Sequence, residues 1–207
     1  MQITGKINEL IVTIYKNIYD VSNPHHITLE QALNRVKNGK SKDTILAIRK
    51  LQETDEEAAK KLKSQLPAIC FSGKVGAVRR DSQMLEHSGL VTLDFDNLDD
   101  TGMSDKWELM TKSKHAVAVF VSPRGNGVKA LFLIADKTKH REHYEALLKD
   151  FNGLDKQNRN EARVCWESYD PAIYINYNAE PYTKIYQTEK QIETDICDNV
   201  SDIFRKI

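Results

Sequence analysis

Between Ala68 and Phe151 the sequence alternates strand-length apolar runs with helix-length amphipathic stretches, which commits the chain to a mixed architecture of sheet and helix. Ala68 to Ser72, Leu90 to Phe95, Ala116 to Val121 and Val128 to Ala135 read as strands. Ser104 to Thr111 and Lys139 to Phe151 read as helices, the second placing Tyr144, Leu147, Leu148 and Phe151 at helical spacing. The fold class expected is α+β.

The first third reads as helical. Thr28-Leu29-Glu30-Gln31 is a Thr-x-x-Gln capping box ahead of Ala32, Leu33 and Val36, and its helix ends near Gly39. Thr54-Asp55-Glu56-Glu57 reads as a second box, opening a charged helix that stops at Pro67. After Asn178 the chain is polar, and Ile192, Ile196, Val200, Ile203 and Ile207 fall on one side of a C-terminal helix, a docking face or the stem of a linker. The expected division is a helical N-terminal subdomain over 1–66, a core over 67–183 and a C-terminal helix or linker over 184–207.

At 207 residues, 40% hydrophobic and 29% charged, the chain has the balance of a globular protein that buries an ordinary core. No apolar run reaches the roughly 18 to 20 residues of a membrane helix, and no secretion signal is evident, so a cytoplasmic protein without a membrane partner is expected. Cys70, Cys165 and Cys197 are widely spaced and form no Cys-x-x-Cys pair, which argues against a disulfide framework or a zinc knuckle. Thirty basic residues balance thirty acidic ones, so any contact with nucleic acid must be local.

Leu90-Val91-Thr92-Leu93-Asp94-Phe95-Asp96 is an apolar strand ending in two acids one residue apart. Strand side chains alternate, so Asp94 and Asp96 share a face while Leu93 and Phe95 point to the other. Like charges about 4 Å apart cost about 4 kcal/mol at the effective dielectric of a partly buried site, and such a pair seeks a proton or a cation. Hard divalent ions take oxygen ligands and can serve an in-line displacement at phosphorus. A solvated turn through Asp96, Asn97, Asp99 and Asp100 is the plainer alternative.

Ser122-Pro123-Arg124-Gly125-Asn126-Gly127-Val128-Lys129 lies between two of the expected strands. Its glycines permit close approach of main-chain N–H groups to an anion, and Arg124 and Lys129 add positive charge, which suits a triphosphate. The spacing is not that of a Walker loop, and a plain glycine hairpin is the alternative. Leu154-Asp155 and the run Arg163 to Pro171 supply two further acids, Asp155 and Asp170, either of which could complete a metal site. The planar fork of Arg163 suits phosphate oxygens.

His140 and His143 lie one helical turn apart with no acidic partner at metal-site spacing, and they read as solvent-facing; His115 reads as structural. The lysines 60, 61 and 63, together with Lys74, Arg79 and Arg80, could track a template or be simply solvated.

In order, Ser88 through Asp96, Ser122 through Lys129 and Arg163 through Asn176 resemble the archaeo-eukaryotic primase superfamily, most closely the primase-polymerase domain of virulence-associated protein E (VirE-like) proteins of bacterial mobile elements. The likeness covers about Pro67 to Asn178. It implies an RRM-like sheet plus an N-terminal α/β element, with the active site in the cleft between them. It implies that Asp94 and Asp96 are the paired acids holding Mg²⁺ or Mn²⁺, and that Asp155 is the third, with Asp170 as substitute. Lys129 stands where many superfamily members have a nucleotide-binding histidine, a departure that alters how a nucleotide is gripped. Arg163 resembles the arginine that helps hold the incoming triphosphate.

The expected activity is therefore DNA primase-polymerase nucleotidyl transfer. Its partners would be nucleoside triphosphates, a single-stranded DNA template or primer-template, and a helicase domain or protein. Ser122, Arg124, the Gly125 to Gly127 amides, Lys129 and Arg163 would position the triphosphate, and Lys74, Arg79 and Arg80 would touch the template. Two rivals stand beside it: a catalytically silent nucleotide- or nucleic-acid-binding module docking to a helicase, and a metal-dependent nuclease.

Overall fold

The computed structural model describes residues 6–186 of the chain. Two four-stranded antiparallel sheets and five helices make it an α+β protein. The first sheet contains β1 (Ile11–Tyr15), β2 (His25–Thr28), β3 (Ala68–Cys70) and β9 (Cys165–Trp166), in the order β2-β1-β3-β9. The second contains β6 (Leu90–Phe95), β7 (Ala116–Val121), β8 (Val128–Leu133) and β10 (Tyr174–Ile175), in the order β10-β7-β8-β6. A hairpin of β4 (Gly73–Val75) and β5 (Met84–His87) falls between β3 and β6 in sequence. The Thr13 hydroxyl anchors this hairpin to β1: it donates to the Gly73 carbonyl and accepts from the Val75 N–H, both at 2.9 Å.

Three helices belong to the N-terminal part: α1 (Leu29–Asn38), α2 (Lys42–Leu51) and α3 (Glu56–Ser64). The capping box at Thr28 forms as its sequence requires, with Gln31 as the reciprocal partner, and Gly39 ends α1 in the left-handed region at φ 77°. The second expected box does not form around Thr54. Asp55 caps α3 instead, accepting from the Ala58 N–H at 3.0 Å, because a carboxylate one residue nearer the helix meets the free N–H.

Two helices cover the second sheet, α4 (Asp100–Thr111) and α5 (His140–Asp150). Both faces of this sheet are therefore buried. Val91, Leu93, Phe95, Val119, Ala130 and Phe132 pack on Met110, Tyr144 and Leu147 of the helices. On the opposite face Leu90, Phe120, Leu131 and Leu133 meet Val12, Ile69, Leu33 and Val36 of the first sheet and α1. The result is three layers, with each fully buried large side chain contributing about 1.5–3 kcal/mol. A third cluster, Ile45, Ile48, Ala59 and Leu66, ties α2 to α3 and rests on Trp166 and Tyr169.

Several sequence expectations require correction. The first 66 residues are not all helical, since β1 and β2 lie there and β1 pairs with β3, in register Ile14 to Ile69. The run Ile11-Val12-Thr13-Ile14-Tyr15 lacks clean alternation because Val12, Thr13 and Tyr15 are all buried, so period 2 could not reveal it. His140 and His143 do not face solvent; each is 1% exposed. The apolar stripe from Ile192 to Ile207 lies outside the described residues. Among the described residues no helix is long and apolar enough to cross a membrane.

Candidate functional site

Alternation along β6 decides where its acids go. Odd positions 91, 93 and 95 enter the core beneath α4 and α5, which sends Thr92 and Asp94 to the other face, toward the first sheet. A small cavity of about 40 Å³ opens there, lined by Thr92, Asp94, Asp96, Lys129, Asp155 and Arg163, with Ser72, Asn158, Asn160, Val164, Cys165 and Trp166 completing its wall. Three acids and two of the expected cationic residues are thus brought together.

Lys129 sits directly across the ladder from Asp94, in the β6·β8 register, and its ammonium is paired with the Asp94 carboxylate. The side chains are 4% and 13% exposed, so the pair is shielded from water. Burial raises the Asp94 carboxyl above its ordinary value; Lys129 opposes that rise, while Asp96 adds to it. Burial also works against the lysine charge, but Cys165 together with the carboxylates of Asp94 and Asp96 outweighs it and holds the ammonium above its usual value. The second oxygen of Asp94, Oδ1, is buried with no hydrogen-bond partner. An orphaned carboxylate oxygen facing two more acids is a fitting ligand for a hard cation.

Asp155 is held beside β6 by its own backbone, whose N–H donates to the Asp94 carbonyl at 3.0 Å. Its carboxylate accepts from the Gln157 N–H at 2.9 Å and so starts the turn at Lys156–Arg159. Asp170, the substitute third acid, is elsewhere. Its oxygens accept from the N–H groups of Val121 and Ala172, both at 2.9 Å, and brace β7 to the following turn. Asp96 is exposed at the rim. Among the described residues no three acids, histidines or cysteines close around a single point. Mg²⁺ needs no such cage, since it usually takes one or two carboxylates and keeps several waters.

The glycine loop approaches from one side without lining the cavity. A Cβ on Gly127 would meet the Phe95 carbonyl at 2.6 Å and Asp96 Oδ1 at 3.2 Å, so glycine is needed for this turn to pass beside the acids. Its Ser122 and Gly125 N–H groups are already used, donating to the Gly127 and Ser122 carbonyls at 2.8 and 3.0 Å. Arg49 of α2 covers it, donating to the carbonyls of Ser122 and Tyr169 at 3.2 and 2.9 Å. Arg124 and Asn126 are half-buried in this loop, and the Asn126 carbonyl accepts from the Leu98 N–H at 2.9 Å. The stretch is a braced hairpin turn, with fewer amides free for an anion than its spelling suggests.

Sequence reading passed over several wall residues. Thr92 was legible, being two positions before Asp94 on the same strand face. Asn158 and Asn160 had no motif to mark them, and Trp166 lies in the run Arg163 to Pro171, where the wall of a cavity could not be told from core packing. Lys63 of α3 has its ammonium 4.1 Å from the centre of the Trp166 ring, and burial lowers it, with Arg124 and Lys129 acting in the same direction. Cys165 also lines the cavity, and burial pushes its thiol up to about 11, which leaves it protonated and a poor nucleophile. Lys74 lies on the β4·β5 hairpin opposite Glu86, away from this cavity, while Arg79 and Arg80 line a neighbouring groove.

The molecule is thus an α+β protein with an acidic cleft between two antiparallel sheets. A family model described as the BT4734-like N-terminal domain matches residues 61–175, more than half of the 207-residue chain, and the protein belongs to that family. The match runs from α3 to the end of β10, so it takes in the whole cavity lining and leaves out β1 and β2. Neither a curated protein nor a solved structure matches the chain.

Proposed function

We propose that the cleft carries out template-directed nucleotidyl transfer, as a primase-polymerase would. The observation that carries this reading is the convergence of Asp94, Asp96 and Asp155 on one cavity together with Lys129 and Arg163. Within the second sheet and its helices the order β6-α4-β7-β8-α5-β10, with β8 between β6 and β7, is a split βαβ series and supports an RRM-like core, although β9 of the first sheet intervenes before β10 and the last strand joins β7.

Asp94, Asp96 and Asp155 would hold Mg²⁺ or Mn²⁺, and such an ion supplies charge neutralisation at the transferring phosphoryl group and acidifies the attacking hydroxyl. The strand 3′-oxygen bonds to the α-phosphorus of a nucleoside triphosphate as the bond to pyrophosphate breaks. Lys129 holds Asp94 in place and offsets part of the acidic charge, and Arg163, exposed at the rim, offers a planar fork to phosphate oxygens. The direct experiment is primer synthesis and extension on single-stranded DNA with Mn²⁺ or Mg²⁺. Asp94→Ala combined with Asp96→Ala should abolish product, and full activity in that variant excludes the mechanism.

The Asp94 and Lys129 ion pair favours a second reading, a binding module without turnover, because a lysine already neutralises the innermost acid. Calorimetric titration separates the two: metal-dependent nucleotide binding with no extension on any template supports the module. Release of labelled DNA fragments without added nucleotide supports a nuclease instead.

A further inference from the structure

Beside the acidic cavity lies a larger groove of about 480 Å³, walled by Arg79, Arg80, Arg141 and Arg163 and closed at one end by Trp166. Asn160, Arg163, Val164 and Trp166 line both spaces, so groove and cavity adjoin along a shared wall. Asp81 is the acid in the wall. Its carboxylate is committed to Arg141 at 2.7 Å and to the Ala162 N–H at 2.9 Å. Three positive charges therefore remain in excess, on a chain whose total charge is zero. Among the described residues Arg79, Arg80 and Arg163 form no ion pair with an acid.

A space of about 40 Å³ holds a hydrated ion at most, so the bulk of any substrate that reaches the acids must lie outside that cavity. Arginine forks spaced along a groove beside an aromatic wall are the combination that grips a single-stranded backbone without reading its sequence. The geometry points to this groove as the seat of a single-stranded nucleic acid, its phosphates held by Arg79, Arg80 and Arg163 and its end delivered past Trp166 to Asp94. The glycine loop, with its Ser122 and Gly125 amides already engaged, is not needed for that grip. This inference rests on the acidic cavity being the place of reaction, but it concerns binding and is read without turnover.

The test uses the full chain, a fluorescein-labelled oligothymidylate lacking a 5′-phosphate, and chelator, with no nucleotide and no metal. Fluorescence anisotropy should show binding that weakens steeply with salt. Arg80→Ala combined with Arg163→Ala should weaken it roughly tenfold and reduce the slope of log affinity against log salt by about 1.4, since each single-strand phosphate deprived of its arginine takes away about 0.7. Arg80→Glu alone tests the same surface at an exposed residue, with unchanged circular dichroism and melting temperature as the folding control. Oligonucleotide binding unchanged in both variants overturns the proposal, as does a loss confined to dATP binding in a separate titration with manganese, which would make the groove the seat of the triphosphate. A polymerase assay that fails while strand binding follows these variants retains the groove and discards the reaction.

Discussion

A lysine at 3% exposure keeps its charge only where carboxylates surround it, and Lys129 has Asp94 across the ladder and Asp96 near by. Removing one partner of a buried pair leaves the other without compensation, a larger loss than the pair's net contribution. Lys129→Met should therefore lower unfolding free energy by about 3–5 kcal/mol at neutral pH in chelator, measured by urea denaturation. Manganese at millimolar concentration should recover more stability in this variant than in the parent, because the acids of the cavity lose their internal cation. A loss below about 1 kcal/mol would show that Asp94 does not depend on the lysine. Asp94 on β6, Asp96 just past its end and the lysine after the glycine turn were legible from strand alternation, since they need only a pleat and a hairpin to meet. Spacing alone could not place Asp155 rather than Asp170 beside them, although the family resemblance named Asp155 first. That placement depends on a backbone bond from residue 155 to residue 94, a long-range contact with no sequence signature.

At the scale of single elements, α1 carries the clearest local code, and its cap offers a clean measurement. Thr28→Ala removes the side-chain acceptor of the Gln31 N–H and should cost about 1 kcal/mol of stability, read from the denaturation midpoint at constant slope. β6 and β7 run over the same residues that their apolar runs mark in the sequence, and α5 falls within one residue of its expected ends. Elements with weak patterns escaped: α2, the β4·β5 hairpin, and β9 at two residues, whose existence depends on β3 offering a free edge. Burial on both sides hid β1, since a strand enclosed between layers loses the alternation that announces a half-exposed one. The buried histidines of α5 show the same limit, because helical spacing places His140 and His143 without saying what covers them.

What covers His140 couples the whole molecule to pH. The Gly89 N–H donates to His87 Nδ1 at 2.9 Å, so neutral His87 carries its proton on Nε2 and donates it to His140 Nδ1, also at 2.9 Å. Burial, with repulsion from His140, Lys137 and His143, lowers His87 to about 3; burial lowers His140 to about 4, against the opposing influence of the Asn158 backbone and Asp81. Both folded values lie below the unfolded value of about 6.5, so the unfolded chain binds more protons as pH falls. The stabilisation is complete above about pH 6.5 and is lost toward pH 4, at about 1.4 kcal/mol per pH unit for a fully buried ring such as His140. Denaturation at pH 7 and pH 5 should show this slope in the parent and a shallower one in His140→Asn; equal slopes would place the acid sensitivity elsewhere.

The path of the chain between the sheets has a mechanical corollary. After β8 and α5 the polypeptide returns to the first sheet for Cys165 and Trp166 and then leaves for β10 in the second, so the segment from Arg163 to Tyr174 is a strap sewn to both halves. Glu167, bonded to Arg35, and Ser168, bonded to the Val121 carbonyl, are its stitches. Prising the halves apart would haul on that strap and drag Arg163 and Trp166 with it, so widening the mouth and loosening the grip on whatever enters are one and the same movement.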